Sequence, residues 1–562
     1  MTLNLPASDQ RFDAIVIGSG ISGGWAAKEL TEKGLRVLLL DRGHVVAHGE
    51  YPTEGKAPFE LPFRGDTPPQ ELLRDHAVNQ ANEESKHFFN NDRLNPYARE
   101  DGQPFDWIRP AAFGGRSLVW GRQSFRWSRF DFNANAADGH GVPWPIGYDD
   151  LAPWYDHVEI FAGIAGSAEN LPELPDSRFL PPHKMNVAEL WFKQQVETRM
   201  QGRRVIHGRA SNITVDRPDQ NRTKCQNRRQ CHRGCSFGAY FSTQAVTLPA
   251  AEATGRLTVL ADRVVQSLVY DETAKRVTGV RIVDTQSGTA ETLTARIVFL
   301  CASAMASVQI LMHSRLSNGE TSFANESGML GRGVMDHPTK ARVTGTPPGL
   351  DDFIVYGQPP TGFVVPRFRN LGEQDPDADF VRGYFYHGIA RRMPSLAPGF
   401  GAEMKHAMRR YDPWRVHLLT FAECLPYSDN RVTLHPEKVD RFGVPQLVFN
   451  VAYRDNEQKL LQDSMVQARR MMEAAGLQDI QTSYSEPTPG SAIHEMGGAP
   501  MGTDPRTSVL NRWSQAHAAS NLFVTDGAQM NSSSCVNPSL TYMALTARAA
   551  DHAARQIREG AL

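Results

Sequence analysis

The stretch DAIVIGSGISGGWAAKELTEKGLRVLLLDRG, residues 13–43, decides the fold of the N-terminal part of the chain. An apolar run (residues 14–17) leads into a glycine-rich turn, a helical segment follows, and a second apolar run (Val37–Leu40) ends at an aspartate. This order of strand, turn, helix and strand predicts a βαβ unit that binds a dinucleotide.

Each glycine of the GxGxxG spacing has a separate physical task. Gly18 permits the tight turn, Gly20 lets a pyrophosphate approach the backbone, and Gly23 lets the helix pack closely on the strand. The N-terminus of the helix then faces the phosphate charge. Asp41, 18 residues after Gly23, is placed to accept hydrogen bonds from a ribose diol.

The C-terminal stretch from residue 521 favours FAD over a nicotinamide. It predicts a strand (Leu522–Thr525), a turn at Asp526 that is a candidate nucleotide contact, and a long amphipathic helix. Asn537 is a suitable N-cap for that helix, and Pro538 suits its first turn. The positive end of such a helix can face an anionic reduced flavin. A further predicted strand, Ile297–Cys301, adds to a nucleotide fold assembled from distant parts of the chain.

Composition excludes several classes of protein. The chain has 562 residues, of which 40% are hydrophobic and 22% charged, and its formal net charge is −2. That balance gives no electrostatic case for nucleic acid or an anionic membrane as partner. No run approaches the ~20 apolar residues of a membrane helix. The N-terminus has no pattern typical of a signal peptide, so export would need a signal carried by another chain.

Three of the six cysteines fall in CQNRRQCHRGC, residues 225–235. Cys225, Cys231 and Cys235 could bind zinc with His232 as a fourth ligand, form a disulfide with one thiol left over, remain unliganded, or hold an iron–sulfur cluster. We favour the cluster, because three close thiolates suit a [3Fe–4S] centre and the arginines between them would offset its negative charge.

The rest of the chain divides by sequence character. Residues 45–105 are polar and proline-rich and predict an extended excursion. From about residue 341 to 485, short strands such as FIVYG (353–357) and VHLLTFAEC (416–424) precede a predicted helix at 456–476. We interpret this part as a substrate domain. Its polar aromatic residues could stack on a sugar, although half-buried strand positions explain them more simply: Tyr384, Tyr386 and His387.

Six stretches together resemble the glucose–methanol–choline (GMC) oxidoreductase family. They are GSGISGG with LLLDRG, FGGRSLVWGRQSFRW (113–127), WPIGYDDLAPWYDHVEIFAGIAG (144–166), GRGVMDH (331–337), HEMGGAPMGTDP (494–505) and NLFVTDGAQMNSSSCVNPSLTYMALTARAAD (521–551). The resemblance implies an α/β fold in which a Rossmann-like FAD-binding domain is interleaved with an antiparallel-sheet substrate domain. The expected boundaries are 1–340 for FAD binding, including the excursion and a cysteine loop (220–240), 341–485 for substrate, and 486–562 for a return to the FAD domain.

The resemblance also implies roles for particular residues. The catalytic pair of the family matches His494 and Asn537. The imidazole would take the hydroxyl proton of an alcohol, the amide would orient that hydroxyl, and flavin N5 would accept the hydride. Gly114, Gly115 and Ser117 match the family turn at the flavin. The histidine that binds FAD covalently in some relatives is replaced by Val119, so a dissociable FAD is expected. We expect His337 and His517 to be structural.

The cysteine triplet followed by a Gly-Ala segment resembles the cytochrome-linked subgroup of the family, which includes glucose and glucoside 3-dehydrogenases. That resemblance implies a sugar or glucoside substrate, oxidised by preference at C3, with glucose C1 and gluconate C2 as near alternatives and an oxygen-using oxidase as a further one. It implies electron transfer through the cluster to a cytochrome c, and a small companion subunit that carries the export signal to the periplasm. A cytoplasmic enzyme is the alternative.

Overall fold

The computed structural model describes residues 12–76, 82–319, 321–353, 357–393 and 399–562. The middle of the predicted strand at 353–357 lies outside the described residues. Ten α-helices lie in the described part of the chain: α1 (Ile21–Glu32), α2 (Pro69–Asp75), α3 (Arg129–Asp138), α4 (Tyr148–Ala162), α5 (Val187–Arg199), α6 (Thr247–Ala253), α7 (Ala304–His313), α8 (Gly401–Ala407), α9 (Asp455–Ala475) and α10 (Ser539–Arg558).

The strands in the same ranges are β1 (Phe12–Ile17), β2 (Val37–Leu40), β3 (Ala98–Arg99), β4 (Ile164–Ala165), β5 (Phe179–Leu180), β6 (Ile206–His207), β7 (Leu257–Leu260), β8 (Arg263–Asp271), β9 (Arg276–Asp284), β10 (Ala290–Leu300), β11 (Ala341–Thr346), β12 (Phe363–Val365), β13 (Tyr384–Arg391), β14 (Arg415–Ala422), β15 (Arg431–Val439), β16 (Pro445–Asn450), β17 (Gln478–Tyr484), β18 (Gln515–Ala516) and β19 (Ala519–Val524).

The first sheet is the nucleotide-binding layer predicted from the sequence. Strands β19, β10, β1, β2 and β7 lie side by side and parallel, although they come from three distant parts of the chain. Their apolar residues are buried on both faces, as expected for parallel strands between helices. The carboxyl ends of β1, β2, β10 and β19 therefore meet at one edge of the sheet, where α/β folds bind their ligands.

The second sheet is antiparallel, in the order β17-β11-β14-β13-β12-β6. Helices α5 and α9 pack behind it, and the predicted helix at 456–476 is confirmed as α9. The sheet is not built from residues 341–485 alone, because β6 and α5 come from the chain before residue 341. The α/β fold class with a parallel and an antiparallel sheet is confirmed.

The excursion at 45–105 packs against the cysteine loop. Glu54 pairs with Arg228 and accepts a hydrogen bond from the backbone N–H of Ser236, 3.0 Å away. Glu84 pairs with both His232 and Arg233. The excursion is thus fastened to the loop by charges. Throughout the described ranges, every helix is too short or too polar to span a bilayer.

Candidate active site

A cavity of about 710 Å³ lies between the two sheets, at the carboxyl edge of the parallel one. Its wall includes Gly18 and Gly20 after β1, Asp41 after β2, and Asp526 after β19. At its other end lie His494 and Asn537, close to the antiparallel sheet. Residues predicted from three separate motifs therefore surround one space, which is within the size range of ligand-binding cavities.

The glycine turn leaves space for a phosphate. A Cβ added to Gly20 would meet nothing within 4 Å, whereas one added to Gly23 would lie 1.6 Å from the Gly18 carbonyl oxygen. Gly23 thus serves helix packing and Gly20 faces open space in the cavity. Gly115, with a φ of +53°, also lines the cavity and lies against Gly20. The residues present fit the diphosphate of an FAD molecule.

Two carboxylates on the cavity wall are held by short hydrogen bonds. Asp41 accepts from the backbone N–H and hydroxyl of Ser19, at 2.7 and 2.5 Å, and from the N–H of Gly43. Burial raises the pKa of Asp41. Asp526 accepts from the hydroxyl of Ser307, at 2.5 Å, and burial raises its pKa to about 6.

Gly114 and Ser117, which were predicted to contact the flavin, do not line the cavity. Ser117 is fully buried, and its hydroxyl donates to the Gly114 carbonyl at 2.6 Å and accepts from the N–H of Thr243. Gly114 donates its N–H to the Ser19 hydroxyl at 2.7 Å. Their polar groups hold the turn against Ser19 and Thr243, and direct contact with the cofactor stays a prediction.

The His494 imidazole contacts two side chains. Its Nε2 lies 3.1 Å from Nδ2 of Asn537, and its Nδ1 lies 2.8 Å from Nδ1 of His337. Burial, with smaller effects of His337 and Arg116, lowers the pKa of His494 well below the usual value. The imidazole is therefore neutral at neutral pH.

The amide of Asn537 does not cap α10. The helix begins at Ser539, its N-cap is Pro538, and no side chain accepts a hydrogen bond there. The predicted N-cap role of Asn537 is wrong because its amide contacts His494 instead. His517, by contrast, lies within 3.0 Å of the Ser508 hydroxyl, outside the cavity wall.

The backbone around His494 is held by buried carboxylates that the sequence prediction missed. Asp336 accepts from the N–H groups of Ala492 and His494 at 3.0 and 2.9 Å. Arg116 forms a forked ion pair with Glu495, with one contact of 2.7 Å. Burial and the nearby Glu495 raise the pKa of Asp336 to about 7. The sequence signal for these residues was available in the Asp of GRGVMDH, the Arg of FGGRS and the Glu of HEMGG.

A second cavity, of about 320 Å³, is lined by Cys225, Cys231 and Cys235. All three are free thiols, which argues against the disulfide alternative. The pKa of Cys225 is raised by burial and further by the two neighbouring thiols. Within the described ranges, no three His, Cys, Asp or Glu side chains are close enough to ligate one metal ion. The zinc alternative loses support, because zinc would hold its thiolates about 3.8 Å apart.

The donor set around the second cavity fits an iron–sulfur cluster in its chemistry. Each thiolate of a cluster can bind a different iron, so the ligands need not surround a single ion. Asn212 lines the same cavity, is 1% exposed, and has both amide atoms without a hydrogen-bond partner. Such an amide could donate to a cluster sulfide. Residues 119–122 line both cavities and form the wall between them.

Comparison with known proteins agrees with this architecture. Two sequence profiles described as GMC oxidoreductase match residues 12–339 and 426–546. The chain belongs to the GMC oxidoreductase family. Membership confirms the predicted enzyme class, an oxidoreductase acting on CH–OH groups, and FAD as its cofactor.

Relatives and solved structures cover nearly the whole chain. The fructose dehydrogenase large subunit of Gluconobacter japonicus is 25% identical, over 98% of both chains. The 2-methyl-1,2-propanediol dehydrogenase of Mycolicibacterium austroafricanum is 26% identical, over 99% of this chain and 97% of the other. The crystal structure of pyridoxine 4-oxidase from Mesorbium loti has a TM-score of 0.60 at 17% identity, over 98% and 99% of the chains, and shows the shared fold.

The two glycines provide a matched test of the FAD site. We expect Gly23→Ala to lose stability by about 3 kcal/mol or fail to fold, because its Cβ would overlap the Gly18 carbonyl. Gly20→Ala should lose bound FAD and unfold at the temperature of wild-type protein stripped of FAD, because bound FAD itself stabilises the folded state. The measurements are thermal unfolding and the ratio of flavin to protein after dialysis. Full retention of FAD by Gly20→Ala would contradict this assignment.

Proposed function

We propose that this protein is an FAD-dependent dehydrogenase that oxidises a secondary hydroxyl of a sugar or glucoside, by preference at C3 to give a 3-keto sugar. The observation that carries the proposal is the contact between a neutral His494 and the Asn537 amide at the cavity wall. The preference for C3 rests on the resemblance of the cysteine triplet to glucoside 3-dehydrogenases. Glucose C1 and gluconate C2 are the nearest alternatives.

In the proposed reaction, a carbinol gives its hydride and its hydroxyl proton to two different acceptors. Bound FAD supplies the acceptor for the hydride that leaves the carbinol carbon. Nε2 of His494 takes the hydroxyl proton once the substrate hydroxyl replaces the Asn537 amide at its lone pair, because a neutral imidazole is suited to a general base. The Asn537 amide can bind and orient the same hydroxyl without competing for its proton. Oxidation then gives a carbonyl product and a protonated imidazole.

A hydroxylated substrate suits the part of the cavity wall that the antiparallel sheet forms. His387 on β13 lines the cavity, and its Nε2 is buried without a hydrogen-bond partner. Tyr384 and Tyr386 lie on the other face of the same strand, where their hydroxyls donate to Asp463 and to the Ser464 carbonyl. A buried unpaired nitrogen is costly, so a substrate hydroxyl that reaches His387 would gain a hydrogen bond.

The cysteine loop supports a dehydrogenase over an oxidase. We propose that Cys225, Cys231 and Cys235 hold a [3Fe–4S] cluster, which supplies a carrier for single electrons. The wall at residues 119–122 separates its cavity from the FAD cavity by only a few residues. An oxidase that transfers both electrons to oxygen needs no such carrier.

The proposal also includes an electron acceptor and a cellular compartment for the enzyme. We propose a cytochrome c as electron acceptor, and a periplasmic location reached through a small companion subunit with the export signal. The name of the fructose dehydrogenase relative, a large subunit, supports a multisubunit assembly. Cytoplasmic activity of the chain alone is the alternative.

The role of His494 as the base can be tested by the pH dependence of flavin reduction. Because the pKa of His494 is lowered, the neutral form persists as the pH falls, and its activity is lost only below the depressed pKa. We therefore expect kcat/KM for anaerobic flavin reduction, with the fastest sugar of a panel, to stay level through pH 6.5. His494→Ala should keep FAD and lose about 10²–10⁴-fold in rate. An acid limb centred at or above pH 6.5 would contradict the assignment.

The substrate wall can be tested with two variants of one strand. We expect His387→Leu to raise KM for the sugar about tenfold, as the loss of one hydrogen bond predicts. Tyr386→Phe, on the opposite face, should leave KM unchanged while removing a buried hydrogen bond. Steady-state kinetics with each variant make the comparison. Equal KM values in His387→Leu and the wild type would refute a substrate contact.

The cluster can be tested by elemental analysis. Wild-type protein prepared without oxygen should contain iron and acid-labile sulfide beside flavin, and Cys231→Ser should lose both. In that variant the sugar should still bleach the flavin, whereas transfer to added cytochrome c should slow. Cys424→Ala, which removes a buried thiol outside the loop, is the control. Flavin-containing wild-type protein without iron would end the cluster proposal.

A further inference from the structure

We infer that His337 is a positioning residue that fixes which nitrogen of His494 carries the proton. The inference rests on the proposed role of His494 as the base, and it goes beyond that role because it assigns a task to a second histidine. It follows from three hydrogen bonds that form a chain: Ser534 carbonyl, His337, His494 and Asn537.

The chain of bonds has a fixed starting point. Nε2 of His337 lies 2.9 Å from the carbonyl oxygen of Ser534, and a carbonyl oxygen only accepts hydrogen bonds. Nε2 of His337 must therefore carry a hydrogen. His337 is fully buried, and burial lowers its pKa to about 4, so the ring is neutral at neutral pH. A neutral imidazole holds one such hydrogen, which leaves Nδ1 of His337 as an acceptor.

The direction of the next bond follows. Nδ1 of His494 lies 2.8 Å from Nδ1 of His337, and two lone pairs at that distance would repel each other. Nδ1 of His494 must therefore be the donor, which leaves Nε2 of His494 with its lone pair. That lone pair accepts from the Nδ2 amide group of Asn537 at 3.1 Å. Only the tautomer of His494 that carries its hydrogen on Nδ1 satisfies all three hydrogen bonds.

The surrounding charges do not supply another partner for the ring. Asp336 is bonded to the backbone N–H of His494, and Glu495 is paired with Arg116. Arg116 itself opposes protonation of His494. The aromatic ring of Phe421 lies 6.0 Å from the imidazole, centre to centre, and offers no acceptor. His337 is thus the group that the structure provides for the Nδ1 side of His494.

The consequence concerns the proton that leaves the substrate. The unprotonated Nε2 of His494 is on the Asn537 side, at the cavity wall, so a carbinol hydroxyl that displaces the Asn537 amide meets a nitrogen that can accept its proton. When Nε2 takes the hydroxyl proton, His494 becomes a cation whose Nδ1–H is already bonded to His337. A group that keeps a catalytic imidazole in the correct tautomer can matter nearly as much as the imidazole itself.

Three variants separate positioning from mere packing. His337→Leu removes the acceptor and should lower the limiting rate of anaerobic flavin reduction about 10²-fold, with FAD still bound and KM little changed. His337→Asn places an amide oxygen near the former Nδ1, so it should recover most of that rate. His494→Ala serves to assign the His494 signals in the measurement below.

The tautomer itself can be measured without any substrate. In protein labelled with ¹⁵N-histidine and loaded with oxidised FAD, we expect His494 to show a protonated Nδ1 and a bare Nε2 by NMR. His337→Leu should give a mixture or the opposite tautomer, and His337→Asn should restore the wild-type pattern. A wild-type protein with the proton on Nε2 of His494 would overturn the inference, as would a His337→Leu variant with unchanged tautomer and rate. Failure of the sugar assignment would leave this spectrum unaffected.

Discussion

The site depends on one partly buried ion pair, between Arg116 in the glycine turn and Glu495 beside His494. The two residues are 379 positions apart in the sequence, and Glu495 has a side-chain exposure of 1%. Removing one partner of such a pair leaves an uncompensated buried charge, which costs about 3–5 kcal/mol. Arg116 also donates to the carbonyls of Ile493 and Ile108 at 2.9 and 3.0 Å. The pair therefore joins the FAD turn to the segment that carries His494.

Burial gives the rest of the site its chemical character. His337 and His494 are kept neutral because desolvation disfavours their charged forms, and the same effect raises the pKa of Asp336 and Asp526. Beside His494 the charged groups Arg116 and Glu495 form a pair with no net charge. Around the cysteine loop the charges lie on Arg228 and Arg233, which pair with Glu54 and Glu84. The two cavities thus share a wall at residues 119–122 and differ in the charged groups around them.

Local patterns in the sequence predicted much of the fold. The GxGxxG turn predicted β1, α1 and β2, and the helical spacing predicted α9, because these features depend on neighbouring residues. The sequence also predicted which residues surround the cavity, since parallel strands bring their carboxyl ends together. His494 and Asn537 were found through the family resemblance, and the structure places them 3.1 Å apart.

What the sequence did not predict depends on contacts between distant residues. His337 was expected to be structural because it matches a family position only loosely. Its contact with His494, 157 positions away, follows from no spacing rule. Asparagine is a residue type that is favoured at N-caps, but the Asn537 amide contacts the imidazole of His494 instead. Ser117 and Gly114 matched the flavin turn, but their hydrogen bonds point to Ser19 and Thr243 behind it. The contribution of β6 to the second sheet was missed because two residues carry no periodicity.

We propose that a carbinol loses hydride to bound FAD while the half-buried imidazole of His494 takes its proton. The most direct measurement compares anaerobic bleaching of the flavin by a sugar with hydrogen and with deuterium at the carbon that reacts. The account predicts that the sugar bleaches the flavin more slowly when it carries deuterium at the reacting carbon, at saturating sugar. It also predicts that this carbon is the one oxidised in the product. Bleaching that is absent with every sugar and polyol tried, or that occurs at equal rates with both isotopes in a phase limited by chemistry, would contradict it.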